Sequence, residues 1–414
     1  MAPLSSTAPV ESAEPRETTE PTEPKANPAA VPRADAPRAS ALPAALPDAP
    51  PAVPRFHHLR VAGIERLTAD AIALRLAVPA ELRAAYGFIP GQFVTLKARF
   101  GDEDLRRSYS ICCGSADYAR SGELTVGIKA IPGGRFSTWA NRELKRGASI
   151  EVMTPDGRFH TPLDARHAKH YLAFAGGSGI TPVLALLRST LAAEPASRYT
   201  LIYGNRNLAS IMFGEALEDL KNRYLGRFAL YHVLSEEPQE VALFNGLLDQ
   251  PKCAQFLGTL VPPAGIDAAF ICGPAPMMDA AEAALLAASV AREKIHIERF
   301  GTPLPQAGRA PASVSSAAGA PAAQVEVIIG GKTRRVAVPY AGAGLLDTAL
   351  AAGIDLPYAC KAGVCCTCRA RVLEGEVRMD RNYTLEPKEL AAGYVLTCQA
   401  HPVSARVVVS YDER

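Results

Sequence analysis

No apolar run of about eighteen residues occurs in this 414-residue chain, so no membrane-spanning helix is expected. Neither sign of charge prevails: 44 Lys and Arg stand against 42 Asp and Glu, a net charge of +2. That balance gives no argument for a nucleic-acid or membrane-surface partner. The opening residues, Met1-Ala-Pro-Leu-Ser-Ser-Thr, lack the basic start and apolar stretch of a secretory signal. The 9 cysteines show no disulfide-scaffold pattern, which fits a reducing cytoplasm. What is present is a chain long enough for about three domains of ordinary size.

Four of the cysteines are the most informative residues. Cys360-Lys-Ala-Gly-Val-Cys365-Cys366-Thr-Cys368 reads C-x4-C-x2-C, and a fourth thiol follows in Thr397-Cys398-Gln399. This is the spacing of a plant-type [2Fe-2S] centre. Such a cluster takes four soft thiolates, and a tight loop delivers three of them to one place. Ala362 and Gly363 keep that loop free of bulk. Cys360, Cys365, Cys368 and Cys398 are therefore read as iron ligands and Cys366 as a loop residue. Zinc would prefer paired C-x2-C knuckles or Cys with His at metal spacing. A redox-active C-x-x-C would not need Cys360 and Cys398, and a Rieske centre would need two His ligands.

Composition divides the rest. Residues 1–55 are dominated by Pro, Ala, Glu, Ser and Thr, too little apolar surface to offset the entropy of ordering, and read as a disordered tail. From Phe56 the text breaks into short β-type runs, Ala71–Val78, Phe93–Lys97, Arg107–Ile111 and Glu123–Lys129, which predict a small β-barrel over 56–163. Residues 164–300 alternate strand, Gly-rich turn and helix: strands Tyr171–Ala175, Tyr199–Tyr203 and Asp267–Cys272, helices Thr181–Ala193, Gly214–Tyr224 and Met277–Ala291. That alternation predicts a parallel α/β sheet. Residues 301–322 return to Pro, Ala, Gly and Ser and read as an interdomain linker, spanning roughly 25 Å as a flexible coil. In the last domain, 323–414, Val325–Ile329 and Thr333–Val338 flank Gly330-Gly331 as a hairpin, and Leu345–Ala352 predicts a short helix before the cysteine loop.

Four further motifs have cofactor chemistry. Arg107-Ser108-Tyr109-Ser110 lies on a barrel strand, where Arg107 and Tyr109 share one face. Gly133-Gly134-Arg135-Phe136-Ser137 is a Gly-rich turn leading into a helix, a natural phosphate cradle. Ala175-Gly176-Gly177-Ser178-Gly179-Ile180-Thr181-Pro182 sits between a strand and a helix, where glycines let backbone amides approach a pyrophosphate. Ile271-Cys272-Gly273-Pro274 ends a later strand, the place where open α/β sheets bind ligands. A surface strand residue at Arg107, an ordinary hairpin at Gly133-Gly134 and a buried small residue at Cys272 are the plain alternatives.

The order of these motifs, R-x-Y-S, G-x-x-S, G-G-S-G-I-T-P and C-G-P, resembles the ferredoxin–NADP reductase family over residues 56–300. The resemblance implies an antiparallel flavin barrel followed by a nicotinamide-binding α/β domain. It implies that Arg107 binds the FAD pyrophosphate, Tyr109 packs on the isoalloxazine and Ser110 hydrogen-bonds near flavin N5. Gly134 and Ser137 would hold the flavin phosphates. Gly176, Gly177, Gly179 and Thr181 would hold the nicotinamide nucleotide, with Cys272 beside its ring. Phe300 matches an aromatic that shields the flavin face, a plain core position being the alternative. Arg206 follows the second strand of this domain, where the ribose should lie; an Arg there suits the 2′-phosphate of NADP, and a solvated surface Arg is the alternative. With an α+β (β-grasp) ferredoxin domain last, the whole chain beyond the tail is similar to the reductase subunits of bacterial phenylacetyl-CoA epoxidase (ring-oxygenating) complexes.

The expected function is then an NADPH-dependent reductase passing electrons from NADPH to FAD to [2Fe-2S] to an oxygenase, with the di-iron epoxidase of phenylacetate catabolism as the implied partner. A reductase for a Rieske-type or other multicomponent oxygenase is one alternative; a zinc-binding interaction module without redox chemistry is the other.

Overall fold

The computed structural model describes residues 53–300 and 321–413. The expected tail and linker lie outside the described residues, apart from their last positions. Among the described residues no helix is long and apolar enough to cross a membrane.

The first domain is a six-stranded antiparallel sheet of β1 (Phe56–Thr68), β2 (Ala71–Ala77), β3 (Phe93–Phe100), β4 (Glu103–Ser110), β5 (Glu123–Lys129) and β6 (Ser149–Met153). Its strand order is β4-β3-β6-β1-β2-β5. A bridge between Ile111 and Val126 joins the two edges and closes the barrel. Helices α1 (Ser115–Ser121) and α2 (Arg135–Arg142) flank it. The period of two along β2 serves two cores at once. Ile72, Leu74 and Leu76 fill the barrel with Leu59, Val94 and Phe136, whereas Ala71 and Ala73 face the second domain, where only small side chains leave room.

The second domain runs β7 (His170–Gly176), α3 (Ile180–Ala193), β8 (Arg198–Asn205), α4 (Gly214–Arg223), β9 (Phe228–Leu234), α5 (Gln250–Thr259), β10 (Ala268–Cys272), α6 (Ala275–Ala287) and β11 (Ile295–Glu298). All pairings are parallel, in the order β11-β10-β7-β8-β9. Strand order therefore reverses between β7 and β10, and ligands of open α/β sheets enter at that switch point. Both faces of the sheet are covered, which is why β7 is apolar after His170: Tyr171, Ala173 and Ala175 join one core, Leu172 and Phe174 the other. Helix α6 starts before the expected Met277 and ends before Ala291, because Pro274 caps its start and Ser289, at φ 62, turns the chain out of the helix.

The third domain holds β12 (Ala322–Ile329), β13 (Lys332–Pro339), α7 (Leu345–Ala351), β14 (Arg369–Glu374), β15 (Val377–Met379), α8 (Pro387–Ala391), β16 (Tyr394–Leu396), β17 (Ala400–Pro402) and β18 (Arg406–Ser410). The main sheet is mixed, ordered β13-β12-β18-β14-β16, with β12 and β18 parallel. The expected hairpin is present. Ile329 pairs Lys332 across a two-residue turn in which Gly330 and Gly331 have φ of 58° and 70°, the left-handed pair that such a turn requires. Leu345, Leu346 and Ala349 of α7 pack into the core beneath this sheet.

Candidate cofactor and electron-transfer sites

The R-x-Y-S residues lie at the end of β4, opposite β3. Ser110 pairs with Phe93, and Tyr109 with Val94. The Tyr109 ring centre is 5.9 Å from that of Phe136, at the start of α2, so this strand meets the Gly133–Ser137 turn. Burial pushes the Tyr109 phenol well above its usual range. The Ser110 hydroxyl is buried with no protein partner, the state of a group awaiting a ligand atom. Arg107 is exposed, its guanidinium donating to the Arg106 carbonyl at 2.7 Å. Ser137 is engaged locally, its Oγ donating to the Gly134 carbonyl (3.4 Å) and accepting from the Ile131 amide (3.3 Å). Gly134 caps α2, and a Cβ there would crowd Ile131 and Ser137.

At the switch point, the Gly176–Thr181 turn after β7 abuts the end of β10. A Cβ on Gly179 would overlap the Cys272 carbonyl, and one on Gly176 would come within 2.7 Å of Met277 Sδ and Pro274 Cδ. Gly177 sits at φ 51 with open space around it. Two of the three glycines are thus required by packing of the turn on β10, and the third by backbone conformation. Thr181 donates to the Ser178 carbonyl (3.0 Å), and its methyl packs against the bare backbone of Gly127 on β5, tying the two domains together. Cys272 lies at the switch point but is fully buried; burial, then the nearby Glu298, push its thiol well up. Arg206 follows β8 with its side chain 60% exposed and its nearest acid, Asp70 Oδ2, at 4.0 Å. Phe300 is 46% exposed, which removes the core alternative for that ring.

One group here was not read from the sequence. Glu298 ends β11, in register with Cys272. Burial, only partly offset by Arg158, pushes its carboxyl up to about 8. A cleft of about 830 Å³ opens beside it, lined by Phe93, His160, Glu298, Cys365 and Cys366 among others. An acid at the switch point, facing the cysteine loop across this cleft, can hold a proton near neutral pH. Nothing local marks it, since Ile-His-Ile-Glu reads as an ordinary edge strand.

In the cysteine loop the thiols gather two and two. The Cys360 thiol is drawn down by a hydrogen bond shared with Cys365, then by amides of the loop; Ala362 donates its amide to Cys360 Sγ at 3.3 Å. The Cys398 thiol is drawn down by Cys368 in the same way, while Cys365 and Cys368 are pushed up. Among the described residues no three His, Cys, Asp or Glu side chains converge as a mononuclear metal site requires. A two-plus-two set suits a binuclear cluster in which each iron would be held by two thiolates. Cys366 turns away at φ 57, its sulfur 3.1 Å from Thr384 Oγ1.

Residues 58–161 match the family described as an oxidoreductase FAD-binding domain, 174–283 an oxidoreductase NAD-binding domain, and 327–403 a 2Fe-2S iron-sulfur cluster binding domain. These matches make the chain an oxidoreductase with FAD, NAD and [2Fe-2S] domains in one polypeptide. It is 47% identical over 359 residues to a subunit of the 1,2-phenylacetyl-CoA epoxidase of Escherichia coli K12, covering 87% of this chain and 98% of that protein. It is 35% identical over 356 residues to the ferredoxin reductase component of 3-ketosteroid-9-alpha-monooxygenase from Rhodococcus rhodochrous, with 85% and 96% covered. Among solved structures, phthalate dioxygenase reductase shares the fold with a TM-score of 0.51 at 22% identity, over 86% of this chain and 98% of that one. The chain belongs to the family of oxygenase reductase components that includes the first two of these relatives.

Proposed function

We propose that this protein is the NADPH-dependent reductase of a di-iron epoxidase that acts on phenylacetyl-CoA, and that it works in the cytoplasm. The observation that carries the reading is the 47% identity to the E. coli epoxidase component, spread over all three domains and 98% of that protein. Bound FAD would take a hydride from NADPH and release electrons singly to the cluster. The protein's part is to hold and orient. Arg107 offers an exposed guanidinium for the flavin pyrophosphate and Tyr109 a ring face, with Gly134 and Ser137 at the phosphate end. Ser110 offers an unspent hydroxyl, and Glu298 a carboxyl that keeps its proton near neutral pH. Gly176, Gly177, Gly179 and Thr181 would hold the nicotinamide nucleotide with Cys272 near its ring, Arg206 would meet the 2′-phosphate, and Phe300 would shield the flavin. Cys360 and Cys365 would hold one iron, Cys368 and Cys398 the other. The absence of a disulfide-scaffold spacing among the nine cysteines suits a reducing compartment.

The test is reconstitution. The purified protein, NADPH, the epoxidase subunits and phenylacetyl-CoA should together give epoxide at a rate proportional to reductase. Deleting residues 323–414 should abolish product while NADPH still bleaches the flavin. Product formation that survives the deletion counts against the cluster as conduit. Activity only with a Rieske-type oxygenase counts against the epoxidase.

A further inference from the structure

Two arginines on the barrel side bracket the cysteine loop. Arg106, on β4 immediately before Arg107, lays its guanidinium 3.9 Å from the ring centre of Tyr358 and 4.9 Å from that of Phe56, with Asp355 Oδ1 at 4.0 Å. Tyr358 lies just before Cys360. At the other end of the loop stands Arg158, which follows Gly157, a residue packed against the Phe93 ring beside Ser110. Its Nη1 donates to Glu389 Oε1, and its Nη2 to the Thr384 carbonyl (2.8 Å) and Cys366 Sγ (3.6 Å). Cys366 directly follows Cys365. Both ends of the loop therefore touch the barrel through an arginine; Arg106 adjoins Arg107, and Arg158 reaches Ser110 through Gly157 and Phe93.

These contacts are not rim decoration. The side chains of Arg106 and Glu389 are 11% and 9% exposed, and Arg106 Nε is buried without a partner. A desolvated guanidinium at Arg106 and a desolvated carboxylate at Glu389, the latter met by an Arg158 side chain that is itself 36% exposed, are costly unless they fix a geometry. Glu389 is anchored from its own domain as well: Arg369 Nη1 donates to Oε1 at 2.6 Å, and the Glu386 amide to Oε2 at 3.0 Å. The acceptor is rigid before Arg158 reaches it.

We propose that Arg106 and Arg158 are positioning residues that seat the cysteine loop on the flavin end of the barrel, setting the short path for the single electron that leaves reduced flavin and enters the oxidised cluster. The inference rests on the reductase reading above. No proton or bond moves in that step; the flavin loses one electron and the cluster gains it.

The test is stopped-flow reduction of the holoprotein by NADPH, with flavin and cluster bands followed separately, together with amide hydrogen exchange of the oxidised protein. Arg158→Ala should leave flavin reduction unchanged and slow the following cluster reduction on the order of tenfold or more. Arg158→Lys should recover part of the rate, because the charge remains but the fork that reaches Thr384 and Cys366 is lost. Arg106→Ala should slow the same phase by a smaller factor, and the double variant by more than either. Exchange at residues 382–390 should rise in Arg158→Ala while the β12–β13 hairpin is unchanged. Wild-type cluster reduction and wild-type exchange in the double variant would overturn the proposal. A wild-type protein whose flavin NADPH does not reduce would overturn the reductase reading instead, and the exchange result would still decide the clamp.

Discussion

In the turn after β7, a Cβ on Gly179 would overlap the Cys272 carbonyl; in the loop after Tyr358, the Ala362 amide points at Cys360 Sγ with nothing else to satisfy. Both segments carry a recognisable cofactor motif, yet the fold uses them in opposite ways. Gly176 and Gly179 are consumed by packing of the turn against the end of β10 and the start of α6, so their presence would be demanded with no nucleotide at all. The cysteines are consumed by nothing: their sulfurs sit in two pairs, with backbone amides aimed at negative charge. A motif residue argues for a ligand to the extent that the fold leaves it unemployed. By that measure the cluster loop and the Ser110 hydroxyl speak more strongly than the glycines do.

The largest effect expected from this contrast is at the cysteines. Alanine at Cys360, Cys365, Cys368 or Cys398 should eliminate the cluster's visible absorption and leave the flavin bound, because the FAD-binding domain is residues 58–161. Cys366→Ala should keep the cluster, since that sulfur faces Thr384 and Arg158. A normal cluster in Cys398→Ala would break the two-plus-two assignment.

Next comes Gly179→Ala, which should destabilise the protein by about 1–3 kcal/mol through overpacking against Cys272. Gly177→Ala, in open space at φ 51, should cost about 1 kcal/mol through the left-handed backbone alone. Denaturant titration of the two variants measures both. If Gly179→Ala weakened NADPH binding with no loss of stability, its role would be at the ligand and the contrast would collapse. A smaller effect is expected at Arg206. Exposed as it is, Arg206→Ala should raise the KM for NADPH on the order of tenfold and leave that for NADH nearly unchanged, because only NADP carries a 2′-phosphate for the guanidinium to meet. Steady-state kinetics with both nucleotides decides it.

Much of this molecule was legible because its signals are local. The strand Glu123–Lys129 alternates cleanly, the Gly330-Gly331 turn dictates its hairpin, and the C-x4-C-x2-C spacing needs only nine consecutive residues. The elements that escaped notice lack such signals. Strand β1 carries two register shifts and exposes His58, Arg60 and the consecutive Glu65 and Arg66, which blur its alternation. The three-residue strands β15, β16 and β17 are too short to show a period. At the site, the missed residues are those whose meaning depends on distant chain. Arg158 and Glu389 are 231 positions apart, and Glu298 becomes an unusual acid only when the fold half-buries it at the end of β11.

Glu298 supplies the smallest and most specific test, on the nucleotide side of the comparison. Its usual value of 4.5 applies to the unfolded chain, whereas burial raises it to about 8 in the fold. Between those values the native state holds a proton that the unfolded state has lost. The linked stability is therefore fully present below pH 4.5 and drains away as pH rises through 8. Glu298→Gln keeps the shape and removes the titration, so the variant's melting temperature should fall less than the wild type's across that window. Parallel pH profiles for the two proteins would mean that the carboxyl is already ionised in the fold, and Glu298 would lose its claim to hold a proton beside the nucleotide.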